Sequence, residues 1–275
     1  MPVPDPAALS QRSIRSKAKI GKGHLKLGGA SFFAPLNGDR ILLQRIILTL
    51  FLTSLALNLG WALGDLGWLS LPAALLGWYL ADLGSGLVHM YMDYHPCPPG
   101  KRLADLFFYP GSRESDEYQA MLRERMARIN SFERLVYDFK NHHPRPDALG
   151  RRPLWRLIGS TVIAGALPIS LFCNLAWLLL PVPGWIAAGV TTLAIGGAFA
   201  QYFHSSLHRA DHPWIIGALR NAGLLMTPAA HQLHHDTLQR DFATNCGWSN
   251  PLINIVFNGL RARGYLGDAG LVPTP

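Results

Sequence analysis

A chain of 275 residues with 49% apolar residues, 15% charged residues and a positive mean hydropathy is too apolar for an ordinary soluble domain. Its net charge of +8 comes from 25 Lys and Arg against 17 Asp and Glu, a surplus that fits a membrane surface better than nucleic acid. Three cysteines, Cys97, Cys173 and Cys246, have neither an even count nor CxxC spacing, which excludes a disulfide framework and a zinc knuckle and leaves unpaired thiols.

In chain order, residues 1–40 form a basic N-terminal segment whose only acids are Asp5 and Asp39. It lacks the apolar run of a secretory signal, and its composition leaves an organellar transit peptide open. Four apolar stretches follow, at 41–63, 66–89, 154–180 and 184–208. Each is long enough to cross a hydrocarbon layer of about 30 Å as a helix. Pro168 should kink the third or divide it into a re-entrant pair. Apart from Asp82, the interiors of the spans are read as poor in polar residues. The short connections around 60–68 and 180–185 carry no Lys or Arg, whereas all 25 lie in the termini, in the 94–153 loop or near span ends on that same side, such as Arg45 and Arg156. Both termini and the long loop are therefore expected to be cytoplasmic. The expected fold is all-α, an integral membrane bundle of four spans, with 41–255 as the membrane domain and 256–275 as a tail. Bacterial inner membrane, endoplasmic reticulum and organelle membrane are equally compatible with this reading.

Between the second and third spans, 94–112 is a Pro- and Gly-punctuated loop, and "SDEYQAMLRERMARINSFERLVYDF" (115–139) is predicted to be helical with Ser115 as N-cap. Its apolar stripe, from Tyr118 to Phe139, faces Arg123, Arg128 and Arg134. That pattern fits a helix lying on an anionic membrane or one packed on a neighbouring segment. "WIIGALRNAGLLM" (214–226) admits the same two readings.

The histidines carry the chemical signal. "AAHQLHH" (229–235) places His231, His234 and His235 at i, i+3 and i+4, so on a helix their rings leave one face and can converge on one point. His204 and His208 are an i, i+4 pair at the end of the fourth span, His142 and His143 close the long loop, and His89 ends the second span with Asp93 four residues on. Eight of eleven histidines thus fall in four groups at one membrane face. Imidazole in that number suits Fe, Zn, Cu or Ni, and exceeds what one ion needs, so two metals are implied. Neither E-x-x-H, H-E-x-x-H nor G-x-S-x-G occurs, which removes the soluble di-iron bundle, zincin protease and serine hydrolase patterns. A histidine-rich di-iron centre at the membrane surface, using O2 on lipid chains, is the reading that remains.

"ADLGSGLVHMYMD" (81–93), "FKNHHPRP" (139–146), "AQYFHSSLH" (200–208), "HQLHH" (231–235) and "GWSNPL" (247–252) together resemble, in order, the motifs of the Kua-type lipid desaturases. That family includes the plasmanylethanolamine desaturases and related plastid phosphatidylglycerol acyl desaturases. The resemblance covers roughly 81–255 and implies a di-iron, O2-dependent desaturase of an ether-linked or acyl chain in a membrane glycerophospholipid. It implies iron ligation by His89, His142, His143, His204, His208, His231, His234 and His235. Asp93 matches an acidic position of the first motif, as a ligand or as a group that orients one. Asp82, on the face of His89, is read as an orienting or substrate-slot residue rather than a structural one. His24, His95 and His212 match no motif. The chain departs from the family at Met90, where Trp is usual, in the 48 residues separating Asp93 from His142, and in "DTLQRDFATNC" after His235. No haem or flavin motif is visible, so two electrons must come from an external donor, a cytochrome b5-like protein or a ferredoxin drawn to the basic face. The rivals are a di-iron lipid hydroxylase and, from another class, a membrane metal-handling protein.

Overall fold

A computed structural model describes residues 38–272. The basic segment 1–37 and residues 273–275 lie outside it, and with them the transit-peptide question. The described residues are all-helical: α1 Gly38–Gly64, α2 Ser70–Tyr94, α3 Ala104–Phe107, α4 Asp116–Ala127, α5 Ser131–His142, α6 Pro146–Gly150, α7 Leu154–Thr161, α8 Leu167–Leu179, α9 Gly184–Leu207, α10 Trp214–Asn221, α11 Pro228–Thr237 and α12 Asn250–Ala262. Four helices have the length and apolarity to cross a membrane: α1, α2, α9 and the continuous run Leu154–Leu179. Their outward faces carry large apolar side chains such as Leu57, Trp61, Leu76, Phe172 and Leu178. In water such a belt would be costly; against lipid tails it is the expected surface.

The third span does not divide at Pro168. A π turn at Val162–Ala166 joins α7 to α8, with the proline in the first turn of α8. The wider turn absorbs the missing proline N–H without breaking the span. The central interface is α2 against α9, and small residues permit it. A Cβ on Gly77 would stand 2.0 Å from the carbonyl oxygen of Gly189. Close backbone approach of this kind is how helices associate where no hydrophobic force separates side chain from solvent.

The reading of polar-poor spans needs correction. Ser54 and Asn58 of α1 meet Ser170, Asn174 and Trp177 of α8. Asn58 Nδ2 donates to Ser170 Oγ (2.8 Å), Asn174 Nδ2 to Ser54 Oγ (2.6 Å) and Trp177 Nε1 to Asn58 Oδ1 (2.6 Å). These residues hide within apolar runs because each is satisfied by another span, which a window average of hydropathy cannot register.

The helix expected over 115–139 is two helices. Ser115 caps α4, accepting from Tyr118 N, as expected. A second start intervenes at Asn130, whose side chain accepts from Glu133 N (2.9 Å) while Glu133 Oε2 accepts from Asn130 N (2.8 Å). The stripe packs on protein: Tyr118 joins Leu103, Leu106, Phe107 and Tyr137, and Val136 and Phe139 pack on Met92. In α10, Ile216 packs on Phe203 and Leu225 while Trp214 and Ile215 stay exposed. The three cysteines are unpaired.

Candidate metal centre

Four helix ends converge. α2 brings His89 and Asp93, α5 ends at His142 with His143 next, α9 carries His204 in its last turn with His208 just beyond its end, and α11 carries His231, His234 and His235. α11 is fixed at its start by Thr227, whose side chain accepts from Ala230 N, and stopped by Leu238 in the left-handed conformation (φ 57°). The donor atoms fall into three overlapping groups, each within 4.8 Å: His142, His204, His208 and His231; His89, Asp93, His143 and His234; and His142, His143 and His235. The three histidines of α11 therefore do not converge on one point. They are dealt out among the groups, because neighbouring helix ends reach the face of α11 at different heights.

The outer nitrogens are fixed by backbone carbonyls. His89 Nδ1 lies 2.9 Å from Phe242 O, His234 Nδ1 lies 2.9 Å from Arg240 O, and His142 Nδ1 contacts Phe139 O. A carbonyl only accepts, so each Nδ1 carries a hydrogen, and a ring in that tautomer presents its Nε2 lone pair inward. There His89 Nε2 and His234 Nε2 face Asp93 Oδ2 at 3.3 and 3.1 Å, and His143 Nε2 faces Oδ1 at 3.1 Å. The lone pairs of His89 and His234, so directed at a carboxylate oxygen, repel it unless a cation lies between them, while His143 Nε2 completes the ring of nitrogens around Asp93. In the other group His204 Nε2 and His231 Nε2 are 3.1 Å apart, and His142 Nε2, His204 Nδ1, His208 Nε2 and His231 Nδ1 are buried without a hydrogen-bond partner. Buried orphans are rare in folded proteins, and so many in one place match the donor set of bound metal. The residues present fit two metal ions.

Burial is nearly complete, at 2% exposure or less for His89, Asp93, His142, His143, His204, His231, His234 and His235. It holds the imidazoles of His142, His143, His231 and His235 below their ordinary range, with neighbouring rings adding to the effect, and lowers His208 to about 3. These groups are neutral in the folded metal-free protein and charge on unfolding, so stability is full above the unfolded value near 6.5 and falls as pH drops below it. We expect the melting temperature of metal-free protein in detergent to decline steeply from pH 7 to pH 5, approaching about 1.4 kcal/mol per pH unit for each such histidine. A flat profile over that interval would contradict the packing described.

Two supports were not foreseen in the sequence. Lys140, 2% exposed, donates from Nζ to the backbone oxygens of Asp93 and Ala269, tying the end of α2 to the C-terminal segment. A lone lysine in a basic loop gives no such signal. The second is the strap 238–249, which carries the carbonyls of Arg240 and Phe242. Asp82 holds it: Oδ1 accepts from Cys246 N (2.8 Å) and Gly247 N (3.0 Å), and Oδ2 from Ser249 N (2.9 Å) and Ser249 Oγ (2.7 Å). Asp82 lies outside the donor groups and acts on them through the strap it holds. Gly86 lets the strap lie flat, since a Cβ there would stand 2.9 Å from Ala243 Cα. His95 and His212 lie outside the donor groups.

Fold and site together define an all-helical membrane protein with grouped metal donors at one end of its spans. Residues 129–258 match the lipid desaturase domain, a range that contains His142 to His235 but not His89 and Asp93. The chain is 26% identical over 212 residues to the plasmanylethanolamine desaturase of Myxococcus xanthus, covering 75% of this chain and 64% of that protein's length. No solved structure matches. Both matches support the Kua-type lipid desaturase family, the first through a resemblance confined to residues 129–258.

Proposed function

We propose that the chain is an O2-dependent di-iron lipid desaturase, of the plasmanylethanolamine desaturase type, acting on an ether-linked or acyl chain of a membrane glycerophospholipid. The observation that carries this reading is the buried set of imidazole nitrogens turned toward Asp93, dry and suited to a cation, in a chain whose residues 129–258 match a lipid desaturase domain. Bound there, two irons with O2 and two external electrons supply the oxidising power to take two hydrogens from adjacent saturated carbons, with water as the other product.

The chain's own part is positional. His89, Asp93, His143 and His234 would hold one ion; His142, His204, His208 and His231 the other; His235 groups with His142 and His143, one ring from each set. The carbonyls of Phe242, Arg240 and Phe139 keep the rings from turning, and burial keeps bulk water away from a reactive centre. The Lys and Arg of the described loops lie toward the histidine end of the spans, while connections 65–69 and 180–183 have none. That asymmetry supports a cytoplasmic centre, open to a cytochrome b5-like protein or ferredoxin as donor. The grouping of all donors at one end, with no second histidine group among the described residues, favours an enzyme over a metal-handling protein.

Lipid mass spectrometry of membranes with and without the chain tests the proposal. A product two hydrogens lighter than its precursor is expected, lost in His234→Ala together with bound iron while membrane insertion persists. A product heavier by one oxygen would make the chain a hydroxylase, and an active His234→Ala protein would remove that residue from the ligand set.

A further inference from the structure

Two cavities adjoin at the candidate centre. One, of about 150 Å³, is polar at its outer end, where Asp138, Arg152, Arg156 and Ser160 line it, and reaches His142 and His204. The other, of about 120 Å³, is a narrow slot between α2, α7 and α9, walled by Val88, Thr161, Gly197 and Ala200 and ending on His89 and His204. Phe139, Gln201 and His204 stand in the walls of both.

Taking the desaturase reading above as its basis, we infer that the two cavities form one substrate passage. The phosphodiester of a glycerophospholipid is held by Arg152 and Arg156, and one hydrocarbon chain runs past Gln201 into the slot beside Gly197. The outer end has the chemistry for phosphate. Arg156 is the third residue of the spanning helix, and Arg152 is held by Asp138 at 3.0 Å. Paired guanidinium groups recognise a phosphodiester through several N–H donors at once. The inner end has the chemistry for methylenes, and the shared wall puts the crossing point of the chain beside His89, His142 and His204.

Gly197 borders the slot at an exposed position. A Cβ added there meets nothing within 4 Å, whereas one on neighbouring Gly196 would strike Ala81 Cβ at 2.5 Å. Gly196 is a packing residue; Gly197 faces space. The slot holds about four water-sized volumes at roughly 30 Å³ each, so a leucine at 197 would fill most of it without displacing the helix.

The test uses the full chain in lipid nanodiscs with two photoactivatable probes, a phospholipid carrying a diazirine midway along one chain and the matching diacylglycerol without phosphate. Phospholipid labelling is expected on 85–89 and 197–201. Gly197→Leu should reduce it about tenfold, a loss of one decade in occupancy. Gly84→Leu, at an exposed α2 glycine whose added Cβ also meets nothing, should leave it unchanged. Ala200→Leu, on the same wall as Gly197, is read in parallel, with metal content and melting temperature confirming that each variant folds. Arg152→Gln with Arg156→Gln should diminish labelling by the phospholipid and spare that by the diacylglycerol. Unchanged labelling in both folded slot variants, or equal loss of the two probes in the arginine variant, overturns the inference; the latter would make the arginines interfacial anchors only. Labelling does not require turnover, so a chain that labels in the passage yet makes no desaturated lipid counts against the enzyme reading alone.

Discussion

Asp93→Asn is expected to remove desaturated product and to lower bound metal from two ions toward one per chain. The substitution keeps shape and changes only charge and donor pattern. Asp93 is 1% exposed and faces three imidazole nitrogens at 3.1 to 3.3 Å. An asparagine would present an NH2 to one of those lone pairs and leave the site with one negative charge fewer. Loss of a carboxylate at or beside a metal lowers affinity by about 10- to 100-fold even when it only orients the ligands. Metal content and product are read together in purified protein and in the membranes it came from. A variant that keeps both metal and activity would remove Asp93 from the centre.

Asp82→Ala should have the largest effect on stability, through the strap rather than through metal contact. It would leave the Ser249 N–H and hydroxyl without an acceptor in a buried setting, and free Cys246 N and Gly247 N as well. At about 1–3 kcal/mol for each buried donor left unpaired, the loss is at least about 3 kcal/mol. For a chain of this size that lowers the melting temperature on the order of 10 °C. Because the strap carries the carbonyls that orient His89 and His234, metal retention should fall with it. Unchanged melting and metal retention would show that the strap is held by other contacts.

How much of this was legible in the sequence follows from what each signal depends on. The four spans were, because twenty or so consecutive apolar residues have few other uses, and four helices of that length and apolarity are present among the described residues. The gathering of eight histidines at one end of the spans was, because i, i+3 and i+4 spacing and position relative to the spans are local properties. Their division among groups was not, since it depends on how α2, α5, α9 and α11 are set against one another. Asn130 shows a different failure. "NSFE" is a capping signature, but the apolar stripe continues across it and so masks the break. Asp82 shows a third: an acid in a span reads as functional by default, and only the backbone of 246–249 folding back on it reveals a structural partner. The departure "DTLQRDFATNC" lies in the strap that clamps His89 and His234, a role set by carbonyl positions and therefore by the path of the chain.

The most direct test of the central claim is the metal content of the purified wild-type chain from iron-replete cells, measured by elemental analysis alongside O2-dependent turnover. Two irons per chain, with product formed only in air, is the expected result. Active protein containing zinc, one ion or none, or turning over equally without O2, would contradict it.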